Sequence, residues 1–153
     1  MSERLVPISI SKILVGYDGS DHSKRATELA VALALKWKAE LYLVHVLEER
    51  RVPKDFNQFA KVEDVSPLNY FDLVSKRLLE PAANRAKAVG VRKVQTISLR
   101  GDPANQILRV ARDHDVDLIV LGNRGLGKFS RSFLGSVSAK VLQYAKCACV
   151  TVK

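Results

Sequence analysis

Cysteine occurs only twice in the 153 residues, and tryptophan and methionine once each. Two cysteines cannot build a disulfide framework, and Cys147 and Cys149 stand too close in sequence for an ordinary structural bridge. A reducing cytoplasm is the expected compartment. Long apolar runs are also missing. The longest, Leu29 to Leu35, spans seven residues, against about 18 for a membrane-spanning helix. The opening MSERLVPISISK lacks the basic-then-apolar layout of a secretory leader. No internal repeat of about 20 to 50 residues is visible. The most informative absence is of negative charge: Leu118 to Lys153 contains no Asp or Glu, yet carries Arg124, Lys128, Arg131, Lys140, Lys146 and Lys153. Six units of the net charge of +9 therefore sit in the last quarter of the chain. Such a balance invites phosphate-bearing ligands, nucleic acid or acidic surfaces.

What is present suffices for a core. Apolar residues make up 47% and charged residues 27% of the sequence, which argues against disorder and for one domain over residues 1–153. After a loose arm over residues 1–11, Lys12 to Tyr17 reads as a strand closed by the turn Asp18-Gly19-Ser20. Ala26, Leu29, Ala30, Leu33 and Trp37 recur at helical spacing, predicting a helix over residues 21–38 with Trp37 in the core. Leu41 to Leu47 is a strand too uniformly apolar to have one wet face. Residues 48–66 form a variable excursion with Pro53, Phe56 and Phe59. A flap and a plain surface loop both fit it, and the loop is the more ordinary reading. Ser66-Pro67 opens a helix whose apolar face is Tyr70, Leu73, Val74, Leu78 and Ala82, kinked or split at Pro81 and capped at Gly90. A third strand follows over Val91 to Leu99. Asp102-Pro103 then caps a helix of three turns carrying Ile107, Leu108, Val110 and Ala111. Asp117 to Leu121 is a fourth, buried strand, followed by a glycine-rich basic loop. A helix over Ser136 to Tyr144 and a strand over Ala148 to Val152 complete the chain. Strand–helix alternation predicts an α/β fold, a single open parallel sheet with helices on both faces.

In such sheets ligands bind at the carboxyl ends of the strands, where strand order reverses. Two strand ends stand out here, Gly16-Tyr17-Asp18-Gly19-Ser20 and Gly122-Asn123-Arg124-Gly125. Glycines 122, 125, 127 and 135 permit close backbone approach, and Gly135-Ser136 leads into a helix whose free N–H groups suit an anion. Arg124, Lys128 and Arg131 add positive charge. The spacing from Gly122 to Gly127-Lys128 imitates a Walker A loop, but the eighth position, Phe129, lacks the hydroxyl that holds magnesium. Asp18 suits both a ligand contact and a helix-capping turn, and position alone does not separate them. His45 reads as a core histidine bonded to backbone, His22 and His114 as surface residues, and Cys147 and Cys149 as buried free thiols.

The pattern Gly122-x₂-Gly125-x₉-Gly135-Ser136 resembles the nucleotide loop of the universal stress proteins. The resemblance extends to ILVGYDGSDHS at 13–23, LVHV at 43–46, GDPANQI at 101–107 and DLIVLGNRG at 117–125. It implies a five-stranded parallel sheet in the order 3-2-1-4-5, Rossmann-like and similar to the adenine nucleotide alpha hydrolases. It further implies ATP (or ADP or AMP) bound with Mg²⁺ or Mn²⁺ through the phosphates. Asp18 would then lie by the ribose, which favours its ligand role. Gly16 and Tyr17 would line the base pocket, Val46 would touch adenine, and Leu121 and Arg124 would join this set. Gly122 would approach the ribose, and Gly125, Gly135, Ser136 and Val137 would hold phosphates. A nucleotide-dependent stress-response protein follows, with slow ATP hydrolysis at most. The uncharged last strand, a sheet edge, is expected to pair with its copy in a homodimer. The alternatives are a basic nucleic-acid-binding protein, for which no recognition signature appears, and a nucleotide-free adaptor dimer. The chain departs from the family at Cys147-Ala148-Cys149, where many relatives have Cys-Pro-Val, and at Pro81.

Overall fold

The computed structural model describes residues 8–48, 67–125 and 134–153. The elements are β1 (Lys12–Gly16), α1 (Asp21–Trp37), β2 (Glu40–Leu47), α2 (Pro67–Ala88), β3 (Val94–Arg100), α3 (Pro103–Asp113), β4 (Leu118–Gly122), α4 (Ser136–Tyr144) and β5 (Ala148–Val152). The strands form one parallel sheet in the order β3-β2-β1-β4-β5. The reversal of strand order falls between β1 and β4, where Ile13, Leu14 and Val15 pair with Leu118, Ile119 and Val120. Among the described residues no helix is long and apolar enough to cross a membrane.

Both sheet faces are covered, which explains the lack of polar alternation in the central strands. Ile13, Val15, Leu41, Leu43, Leu118 and Val120 pack under α1 and α2. Leu14, Tyr42, Val44, Ile119 and Leu121 pack under α3 and α4. Burying each aliphatic side chain in these sets contributes ~1.5–3 kcal/mol relative to exposure.

Helix ends follow local chemistry. The Ser20 hydroxyl accepts from Ser23 N–H and caps α1, which ends at Lys38 in the left-handed conformation, φ 57°. Asp102 caps α3 through Asn105 N–H, with Pro103 in its first turn. The carboxylate of Asp117 accepts from Ser11 N–H, Ser11 Oγ and Lys12 N–H at 2.8–2.9 Å, fastening the starts of β1 and β4 together. Ser11 is thus tied down, where the sequence suggested a loose arm.

Four expectations are corrected. Trp37 is 40% exposed, because the inward stripe of α1 runs Ala26, Ala30, Ala34 at intervals of four and leaves Trp37 beside it. The buried face of α2 is Phe71, Ser75, Leu79, Ala82, Ala83 and Ala86, not the stripe through Tyr70 and Leu73. Ser75 interrupts the apolar pattern and hid the true face. Pro81 does not split α2. β3 begins at Val94, because Gly90 turns the chain at φ +111° and Val91 is spent on helix closure, its N–H bonding Ala86 O at 3.1 Å. The phenylalanines of the 48–66 excursion lie outside the described residues.

Candidate nucleotide-binding site

The β1–α1 turn is built around one carboxylate. Asp18 Oδ1 accepts from Ser20 N–H at 2.9 Å, an Asx turn that leaves the helix cap to Ser20. Gly19 supplies the positive φ of 79° that this turn needs. Tyr17 sets the level of the turn, with its N–H bonded to Val44 O at 2.8 Å and its ring buried with the α1–α2 core. Its carbonyl meets His45 Nδ1 at 3.0 Å. That is the backbone-bonded core histidine expected from sequence, and its buried Nε2 has no partner among the described residues.

Asp18 Oδ2 points across the reversal at the loop after β4. A Cβ built on Gly125 would sit 2.7 Å from it. Only a glycine lets the two segments approach this closely without displacing the carboxylate. The β4 loop itself is closed at its neck. Asn123 N–H donates to Val152 O at 2.6 Å and Gly135 N–H to Asn123 O at 2.8 Å. Ser138 Oγ donates to Gly122 O at 2.7 Å. A Cβ on Gly135 would lie 3.1 Å from Asn123 O, so that position is also crowded.

The neck delivers Gly135 as the N-cap of α4. Among the described residues no side chain caps this helix, and its first internal bond is Ala139 N–H to Gly135 O. The amides of Ser136, Val137 and Ser138 precede that bond, at the positive end of the helix dipole. Across the neck, Arg124 Nε is buried and has no partner among the described residues. A guanidinium nitrogen shut from water without an acceptor is costly, and an anion there would relieve the cost. Among the described residues no three His, Cys, Asp or Glu side chains converge on a metal position.

The structure therefore brings Asp18, Arg124, Gly125, Gly135, Ser136 and Val137 to one place. Leu121 and Val46 lie on the α3–α4 side of the sheet, beneath that place. Two predicted glycines have packing reasons of their own. A Cβ on Gly16 would strike Leu121 Cδ2 at 2.7 Å and Ile107 Cδ1 at 3.0 Å. A Cβ on Gly122 would strike the backbone of His22 and Ser23 in the first turn of α1 at 2.7–2.8 Å. Gly127, Lys128 and Arg131 lie outside the described residues. His22 and His114 are half-buried rather than on the surface, and the His114 ring is tilted against Tyr42 at 5.0 Å. Sequence reasoning missed the neck, which is made mostly of backbone. A cavity of about 310 Å³ between α2 and β3, lined by Asp72, Lys76, Leu79, Glu80, Thr96 and Ser98, is distinct from this site.

Cys147 and Cys149 are free and half-buried on the α3–α4 side, not fully buried as expected. Cys147 precedes β5 rather than lying in it. Desolvation, together with the neighbouring Cys147 thiol, raises the Cys149 pKa to about 11.

Comparison with known proteins gives one consistent picture. The model of the Universal stress protein family matches residues 9–153. A Thermus aquaticus protein, the universal stress protein in the QAH/OAS sulfhydrylase 3′ region, is 40% identical over 145 residues, covering 92% of this chain and 97% of its own. The structure of hypothetical protein MJ0577 superimposes with a TM-score of 0.79 at 27% identity, covering 95% of this chain and 97% of its own. A universal stress protein in complex with cAMP superimposes with a TM-score of 0.67 at 27% identity, covering 95% and 98%.

Proposed function

Since this chain belongs to the universal stress protein family, we propose that it binds an adenine nucleotide, with ATP as the first candidate, where the ends of β1 and β4 meet the start of α4. The observation that carries the reading is the meeting of Asp18 with Gly125 beside the buried Arg124 Nε and the start of α4, both without a side-chain partner among the described residues. Polyphosphate would lie against the Ser136 and Val137 amides and Arg124, an arrangement that neutralises its charge without a dedicated lysine. Asp18 would accept from ribose hydroxyls through Oδ2. Adenine would lie toward Val46 and Leu121. Magnesium or manganese, which takes few protein ligands when phosphates supply oxygens, would be held by the phosphates. The cAMP complex of a related protein supports the adenylate class. The proposal is one of binding. Asp18 and Arg124 alone do not make a hydrolytic constellation, which needs an aligned water and stabilised transferring phosphoryl.

The test is calorimetry of the purified protein with ATP, ADP, AMP and cAMP, with and without Mg²⁺. One site per chain for at least one of them is the expected result. No heat and no thermal shift with any of the four at millimolar concentration would reject the reading.

We also propose a homodimer through β5. Among the described residues this strand is the outer edge of the sheet, next to β4 alone, and Ala148 to Val152 carries no charge that would discourage pairing. Exposed Leu142 and Tyr144 on the adjoining α4 extend the apolar surface. Light scattering should give twice the chain mass, and Val150→Pro should give the monomer.

A further inference from the structure

The nucleotide reading leaves the Cys147-Ala148-Cys149 segment unused. Both thiols are free, half-buried, and packed on the same apolar cluster under α3 and α4. Cys149 lies in β5 and Cys147 just before it, yet both side chains pack on the α3–α4 side of the sheet. Cys149 Sγ–H reaches the Cys147 carbonyl at 3.6 Å, which folds the Cys149 thiol back onto its neighbour.

Ligand count narrows what such a pair could hold. Among the described residues no third His, Cys, Asp or Glu joins them. Zn²⁺ in a structural site takes four ligands and is poorly served by two. Hard cations prefer oxygen donors. Soft d¹⁰ monovalent ions favour thiolates and are satisfied by two of them in a near-linear arrangement. Charge points the same way. A bis-thiolate complex of a monovalent ion carries one net negative charge. It would form beside Lys146, in the 36-residue stretch from Leu118 that has six bases and no acid. The acid whose charge reaches Cys147 is Asp117, and its carboxylate is engaged with Ser11 and Lys12.

We propose that Cys147 and Cys149 form a two-coordinate site for a soft, thiophilic monovalent cation of the Cu(I) class. On binding, each thiol releases its proton to water and each sulfur forms one bond to the metal. No electron is transferred, and the metal stays monovalent. The site is independent of the nucleotide reading, since it shares no residue with it.

The test is anaerobic titration of the reduced full chain with Cu(I) in competition with bicinchoninate, followed by X-ray absorption of the loaded protein. One Cu(I) per chain, a shell of two sulfurs without nitrogen, and loss of competitive binding in both Cys147→Ser and Cys149→Ser are expected. Binding that persists in either single variant overturns the proposal, as does a shell containing nitrogen or more than two sulfurs. If a serine variant fails to fold, the spectrum of the unmodified protein decides alone.

Discussion

Asp18 and Gly125 face each other so closely that a methyl group on Gly125 would lie 2.7 Å from Asp18 Oδ2, while Oδ1 is held by Ser20 N–H. The carboxylate cannot turn aside without giving up its turn bond. Gly125→Ala should therefore weaken adenylate binding about tenfold or more, equivalent to ~1.4 kcal/mol. It should leave the melting temperature nearly unchanged, since Gly125 is exposed. Equal affinity in both proteins by calorimetry would remove Asp18 from the site.

Gly122 should behave in the opposite way. Its missing side chain makes room for the backbone of His22 and Ser23, and backbone in the first turn of a capped helix cannot retreat cheaply. Gly122→Ala is expected to lower stability by about 1–3 kcal/mol, read from urea unfolding with the slope unchanged. Loss of nucleotide binding in that variant would report damage to the fold rather than a lost contact.

Asp117 gives a pH prediction with a defined sign. Burial acts to raise its pKa, but the bonds from Ser11 N–H, Ser11 Oγ and Lys12 N–H outweigh it, and the carboxyl is held below its usual value of 3.8. A depressed carboxylate contributes stability that is complete above the unfolded-state value and fades as pH falls through the folded-state value. Asp117→Asn should cost about 1–3 kcal/mol at pH 7. The gap between the two proteins should shrink below about pH 4. A gap constant from pH 7 to pH 3 would show that the charge contributes nothing.

Cys149 should be a sluggish nucleophile. Raising the thiol from 9.0 to about 11 cuts its thiolate fraction at neutral pH by roughly 100-fold. Alkylation by iodoacetamide in the native protein should be slower than that of glutathione by a comparable factor, and should recover in urea. Fast labelling of Cys149 in the folded chain would contradict its desolvated setting.

Much of this molecule was legible in the order of its residues, for identifiable reasons. The β1, β2 and β4 strands announce themselves because they are covered on both sides and show no polar alternation, His45 in β2 being the one buried polar side chain among them. Asp102-Pro103 announces a helix start because a carboxylate cap followed by proline fits few other places. The inward face of α2 was misread because a buried serine, Ser75, sits where a pattern of apolar residues would need a larger side chain. Trp37 was misassigned because size suggested the core while the alanine stripe of α1 had already filled it. At the candidate site, residue types revealed Asp18 and the glycines, but not which glycines serve packing. Gly16 and Gly122 are explained by the side chains and backbone they abut, and those neighbours come from distant parts of the chain. The neck between Asn123, Gly135 and Val152 was invisible, because its two amide-to-carbonyl bonds have no side-chain signature.

That neck has a consequence for chain length. Because Asn123, Gly135, Ser138 and Val152 make these bonds with one another and with Gly122, the fastening of the neck does not itself depend on how many residues pass between Gly125 and Gly135. Doubling such a tethered stretch costs only ~0.6 kcal/mol of closure entropy. A change of length there therefore leaves the neck and the sheet beneath it to be built by the same residues.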